Sequence, residues 1–415
     1  MRLIDQYKNL RRENYVLFFG RIVTNLGAMV WPMLTLIMNQ KMGLSASAVA
    51  ALTVAGGLFM LPVGILGGKL ADRYSKKNVI VICDSVSIVF YIICGLIPLT
   101  YLSLVLILLA AGCQSMEGPA YDALIADITV TADRERAYSL QYLGMNIGMV
   151  LSPTIAGILF KNALWLAFII SGLSIACSTA LIFFKVKNTA PAKETGEESR
   201  YQAARASESI IKVLKDNPVI LLFVLAIGLY YTSYHQFSFL MPLDMGRVHG
   251  ENGAVIFGTV NSFNCLIVIF FTPLITALFR RLYETGKALA GILLQTAGLV
   301  LFASMLGHIA WYYAAMLLFT WGEIFTTVSQ GPYLSSRVPS SHRGRVNGVI
   351  NVIMGVLMGV SELATGRLYD VLGSSAAWSF TYAMEALSIV LCIMLVFLDR
   401  RRYPALYSKD SSPDA

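Results

Sequence analysis

Gly68-Lys69-Leu70-Ala71-Asp72-Arg73-Tyr74-Ser75-Lys76-Lys77 joins the end of one apolar run, 47–70, to the start of another, 78–99. About 20 apolar residues suffice to cross the hydrocarbon core of a bilayer as a helix. The stretch therefore reads as a short basic turn between two transmembrane helices. Comparable runs extend outward on both sides, at 15–38, 102–127, 138–160 and 163–185, then at 218–242, 254–280, 287–307, 310–334, 345–368 and 377–399. Twelve spans result, and the first is read as a membrane span, not as a cleaved leader. Composition agrees: 56% of the 415 residues are hydrophobic and 13% charged, against roughly 25% charged in soluble domains.

The basic residues sort by side. With both termini cytoplasmic, all of the 32 Lys and Arg fall in cytoplasmic segments except Lys41, Lys161, Arg247 and Arg367 outside and Arg21 within the first span. Such a bias fixes topology by the positive-inside rule. The expected organisation is an N-terminal six-helix bundle over 1–185, a solvated linker over 186–217, and a C-terminal six-helix bundle with a short cytoplasmic tail over 218–415. Ser207 to Lys215 is expected to form a short amphipathic helix. The halves echo each other. Glu117-Gly118-Pro119, Arg134-x-Arg136 and Gly157 recur as Gln330-Gly331-Pro332, Arg343-x-Arg345 and Gly366, and 21 residues separate Arg136 from Gly157, as they do Arg345 from Gly366. A repeat of half the chain argues for two structural copies.

Several classes are excluded. A net charge of +8 would suit nucleic acid only as a basic stripe on a soluble face, and here it lies in short segments between spans. All six cysteines fall inside apolar runs with no C-x-x-C pair, so they read as small apolar residues. No metal-ligand cluster, phosphate loop or nucleophile triad is legible. The chain reads as a non-enzyme without a cofactor or a metal.

The loop at 68–77 resembles the signature G-x-L-a-D-r-x-g-r-k of the major facilitator superfamily, with Ser75 in place of a glycine. Pro119-Ala-Tyr-Asp-Ala-Leu-Ile-Ala-Asp127 resembles the family's P-A-x-x-A-L-x-A-D. Gly148-Met-Val-Leu-Ser152-Pro153-Thr-Ile-Ala156-Gly157 resembles G-x-x-x-G-P-x-x-G-G, the mark of its exporters. Residues 102–133 contain no Lys or Arg, a departure from the arginine that many members carry on this helix. The likeness implies an all-α membrane fold, two six-helix bundles related by a pseudo-two-fold axis, and is nearest to twelve-span drug:proton antiporters. It also implies a conformational latch of Gly68, Asp72, Arg73, Lys76 and Asp127. In it Gly68 allows close helix approach, Asp72 meets the positive end of the eleventh span near Val346, and Lys76 pairs with Asp127. Gly148, Ser152, Pro153 and Gly157 are expected to pack helices tightly.

Ionisable residues inside spans carry most of the functional signal, since a charge at mid-bilayer costs at least ~2.5–3.5 kcal/mol by insertion scales. Glu323 lies midway along the tenth run, and Thr327 and Gln330 share its face within about 40°. Gln114, Glu117 and Tyr121 make a comparable stripe on the fourth. Asp122 stands about 140° around that helix from Glu117. A carboxylate removed from water is costly to ionise and so can carry a proton. Glu323, Glu117, Asp122 and His235 are therefore the proton or substrate candidates. Tyr230, Tyr234 and Phe237 offer an aromatic wall suited to flat cations. Arg21 and Asn25 complete the cavity candidates. Asp84, Glu362 and Glu385 fall nearer helix ends or on helices expected at the periphery, and receive no role.

The functional expectation is a secondary active transporter that exports hydrophobic or cationic small molecules in exchange for protons. Its expected setting is the bacterial inner membrane, as a multi-pass monomer whose partners are substrate, protons and lipid. Uptake or exchange of a polar metabolite is the alternative, and would suit a cavity richer in Asn, Gln and Arg. A non-transporting sensor or lipid-handling protein is the second alternative.

Overall fold

The computed structural model describes residues 8–129, 133–186, 217–279, 281–338 and 343–407. Most of the expected linker, with the Ser207–Lys215 helix, lies outside them. Among the described residues twelve long helices follow in order and no strand occurs: α1 (Arg12–Lys41), α2 (Ala46–Arg73), α3 (Lys76–Leu96), α4 (Tyr101–Ile128), α5 (Arg134–Asn162), α6 (Leu164–Lys185), α7 (Pro218–His249), α8 (Asn252–Leu278), α9 (Glu284–Ser304), α10 (Ile309–Arg337), α11 (Arg343–Leu372) and α12 (Ser374–Arg402). Eleven are long and apolar enough to cross a membrane. The twelfth, α10, has the length at 29 residues, but Glu323, Thr326, Thr327, Ser329 and Gln330 dilute its middle.

Two helices are interrupted. α1 runs from Arg12 to Leu26, resumes at Val30–Leu36 and closes in a π-helical turn, Ile37–Lys41. α7 runs from Pro218 to Tyr234, passes through a 3₁₀ turn at His235–Phe237 and resumes at Leu240–His249. Pro32 and Pro242 each stand third in the resumed piece. There a proline costs no intrahelical hydrogen bond, because the first turn's N–H groups have no partner in the helix anyway.

The chain divides into two compact units. One holds Met1–Lys193 with Met245–Cys265, the other Glu194–Asp244 with Leu266–Ala415. In the first, α1 packs on α5 and α6, and α3 on α4 and α6; in the second, α7 packs on α11 and α12, and α9 on α10 and α12. The pattern repeats with an offset of six helices. Leu58, Leu61, Ile65, Leu96, Phe184 and Phe397 are all more than 60% exposed. A soluble monomer rarely presents so much apolar surface, whereas lipid tails are as apolar as these side chains. Helix association inside a bilayer therefore rests on close packing and polar contacts.

Small residues supply the packing. A Cβ on Gly148 would come within 2.5 Å of the Ile22 carbonyl oxygen, and one on Gly157 would collide with the Ala254 carbonyl. Thr154 and Ser262 exchange a hydroxyl hydrogen bond of 2.7 Å beside these contacts. α5 thus holds both α1 and the first part of α8, which is why Met245–Cys265 gathers with the first unit. In the loop motif the tight position is one residue earlier than expected. A Cβ on Gly67 would strike the Met116 backbone, whereas one on Gly68 would meet no atom within 4 Å among the described residues. Adjacent helix residues point about 100° apart, so only Gly67 faces α4.

Candidate functional site

In the first unit, α1, α3, α4 and α6 enclose a cavity of about 230 Å³. Arg21, Asn25, Gln114, Glu117 and Tyr121, all expected as site residues, line it, and Asp84 joins them. The Arg21 guanidinium lies 3.7 Å from the centre of the Tyr121 ring. Tyr121 is buried and its hydroxyl donates to the Leu17 carbonyl at 3.1 Å. Asn25 donates to the Arg21 carbonyl at 2.8 Å. Asp84 accepts from Thr179 Oγ1 at 2.5 Å, and it lines the same cavity as Glu117 and Arg21.

Asp84 is a correction to the sequence reading. It is 5% exposed, not peripheral, because the same turn of α3 that presents it also meets α4 and α6. Asp122 is corrected too: it is exposed and does not line this cavity, as its angular offset from Glu117 requires. Next to the polar cavity lies an apolar one of about 370 Å³, formed by α1, α2 and α4 with Leu34, Met38, Leu52 and Met60 among its walls. Trp31 and Gln114 belong to both.

In the second unit, Tyr234 donates its hydroxyl hydrogen to Glu323 Oε1 at 3.0 Å. Gln330 donates to the Tyr231 hydroxyl at 3.0 Å. The Tyr234 ring stacks on Phe319 with centroids 5.3 Å apart, and Phe237 lies 5.4 Å from Phe319. Tyr230 and Tyr234 stack with centroids 6.2 Å apart and planes inclined by 29°. Tyr230, Tyr234, Phe237, Glu323 and Gln330 are thus brought together along α7 and α10, because residues three, four or seven apart lie on nearly the same face. Thr327 is exposed.

His235 contacts Glu362 Oε2 through Nε2 at 3.0 Å. Two further carboxylates are wholly enclosed. Glu385, expected at the periphery, accepts from Gln295 at 2.7 Å and Thr296 at 3.2 Å. Asp244, which the sequence reading passed over, accepts from Tyr369, Ser374 and Trp378 at 3.1, 2.7 and 2.7 Å. An acidic residue in an apolar run was the available signal for Glu385, whereas Asp244 stood just past the expected end of its run at 242; the donors to both come from other helices and leave no local trace.

At the end of the first unit that carries the 68–77 loop, Lys76 forms an ion pair with Asp127. Asp72 and Arg73 are exposed, and the side chain of Val346 lies outside the described residues. Ser152 is buried. Among the described residues no three His, Cys, Asp or Glu side chains gather as metal ligands. The six cysteines are free thiols, Cys177 exposed and Cys113 half-buried.

Residues 17–362 match the family model of the Major Facilitator Superfamily. The chain is 24% identical over 363 residues to the Na(+), Li(+), K(+)/H(+) antiporter of Planococcus maritimus, with 81% of this chain and 85% of that protein covered. It is 22% identical over 381 residues to the multidrug resistance protein MdtH of Yersinia pestis (strain Pestoides F), with 89% of each covered. Among solved structures, a mutant of the peptide transporter POT in complex with alafosfalin superposes with a TM-score of 0.76 at 15% identity, over 94% of each chain. The chain belongs to the Major Facilitator Superfamily, a family of membrane transporters.

Proposed function

We propose that this protein exports amphipathic organic cations in exchange for protons, by alternating access, as a monomer in the bacterial inner membrane with both termini in the cytoplasm. One observation carries the reading. In the first unit an acidic cavity holding Glu117 and Asp84 adjoins an apolar cavity, and the two share Trp31 and Gln114. A charged head beside a flat apolar body matches that pairing, and an aromatic wall adds cation–π attraction. Glu323, set among Tyr234, Phe319 and Phe237, repeats the combination in the second unit. Cation and proton compete for these carboxylates, so binding one releases the other. The latch of Lys76 with Asp127, together with Asp72, is proposed to hold one of the two access states.

The name of the multidrug relative supports organic substrates. The Planococcus antiporter supports a second reading, in which an alkali cation takes the place of the organic one at the same acidic cavity. The test is purified protein in liposomes under an imposed pH gradient, offered cationic dyes, Na+ or K+, and a sugar. Proton-driven dye movement that fails in Glu323→Gln and in Glu117→Gln is expected. Movement of Na+ or K+ without dye selects the second reading, and movement of sugar alone overturns both.

A further inference from the structure

Among the described residues of the second unit, four carboxylates are at least 97% buried: Asp244, Glu362, Glu385 and Asp399. Three are saturated. Both oxygens of Asp244 accept from Tyr369, Ser374 and Trp378, and both of Glu385 from Gln295 and Thr296. Asp399 accepts from Arg337, Tyr333 and Tyr407. A buried carboxylate whose lone pairs are all engaged is a structural tie. Glu362 differs. Its Oε2 meets His235, and its Oε1 is buried with no hydrogen-bond partner. Three residues further along the same face of α11, Thr365 is fully buried and its hydroxyl also lacks a partner. Leaving such atoms unsatisfied forfeits their solvation with nothing in return, and the cost is greater where a charge is involved. A helix-to-helix pin would gain nothing from that arrangement.

Exposure gives the pair a direction. The His235 side chain is 26% exposed and that of Glu362 only 4%. His235 also opens the 3₁₀ turn that interrupts α7, and the preceding residue, Tyr234, is the one bonded to Glu323. Consecutive residues at one helix break therefore hold carboxylates from α11 and α10. Titratable groups on the neighbouring helices include Glu323, engaged by Tyr234; Glu385 on α12, engaged by Gln295 and Thr296; Asp399 on α12, paired with Arg337 of α10; and Arg367 and Asp370 on α11, which are exposed.

We propose that His235 and Glu362 form a proton relay at the break of α7, with His235 the acceptor from water and Glu362 the buried store. The imidazole takes a proton at Nδ1, the Nε2 proton passes to Glu362 Oε2, and the ring is left neutral with its hydrogen on Nδ1. One proton has then moved from water to a carboxylate, and no other bond changes. The proposal deepens the proton-coupled reading and rests on it for its physiological purpose, but the proton transfer itself can be read without transport.

The experiment is a pH jump on the purified full chain, followed by infrared absorption of protonated carboxyl groups. In Glu362→Gln one band of the wild-type acid-minus-neutral spectrum is expected to vanish. In His235→Gln, whose amide keeps a donor opposite Oε2, the same band is expected to rise more slowly by roughly 10²-fold, the low end of what a positioned proton carrier contributes. A Glu362→Gln spectrum that superimposes on wild type, or an unchanged rate in His235→Gln, overturns the relay whatever the transport result. Dye movement in liposomes separates the two ideas. Loss of proton-driven accumulation in His235→Gln with substrate exchange intact supports both. Intact relay kinetics in a wild-type protein that moves no dye against a proton gradient retain the relay and reject the export reading.

Discussion

A buried charge is stable only in company, and Arg337 shows how complete that company is. Its Nε donates to Asp399 Oδ1 at 2.8 Å, its guanidinium lies 4.0 Å from the centre of the Tyr333 ring, and both members of the ion pair are fully buried. Arg337→Met would strand the Asp399 charge, and removing one partner of such a pair costs about 3–5 kcal/mol. A matching fall in thermal stability of the detergent-purified protein is expected; an unchanged melting curve would show that Asp399 carries no charge in the folded state. Tyr234→Phe removes one neutral-to-carboxylate hydrogen bond and keeps the ring, so it is expected to leave stability within about 1–3 kcal/mol while altering the dependence of dye transport on pH. Glu117, Glu323, Tyr121 and Gln330 were legible in the sequence because a polar residue in an apolar run announces itself. Asp84 was equally visible, yet its importance comes from the cavity it shares with Glu117 and from the hydroxyl of Thr179, which stand 33 and 95 positions away in the chain.

At the scale of helices, the apolar runs located every span, and α7 was misjudged most at one end, continuing from the expected 242 to His249. Its 3₁₀ turn allows the continuation, since the chain restarts at Leu240 with Pro242 in the first turn. Periodicity was less able to say which small residue touches a neighbour. Gly67→Val is expected to destabilise by roughly 1–3 kcal/mol through overpacking against Met116, whereas Gly68→Val should fall within about 0.5 kcal/mol of wild type, as surface changes do. Comparing the two melting temperatures decides it, and equal losses would mean that Gly68 also faces a helix.

For the molecule as a whole, the charge bias makes a statement about sidedness. In a Cys177→Ser background, Lys161→Cys and Arg367→Cys are expected to react with an impermeant maleimide in intact cells, while Arg12→Cys and Arg402→Cys react only after permeabilisation. Labelling of Arg402→Cys in intact cells would reverse the proposed topology. The repetition of helix pairings between the units, α1 with α5 and α6, α7 with α11 and α12, follows the internal repeat seen around Arg136 and Arg345.

By itself the sequence determined that this chain is a helical membrane protein of twelve spans, because hydrocarbon admits only long apolar segments with their backbone hydrogen bonds closed internally, and that requirement is written residue by residue. It also showed where acidic side chains enter those segments. Tertiary structure alone decided what each acid does: Asp244, Glu385 and Asp399 are tied off, Asp84 shares a cavity with Glu117, and Glu362 is left with one oxygen open. Donors to a buried carboxylate arrive from other helices at any sequence distance, so saturation is a property of packing, and no local pattern encodes it.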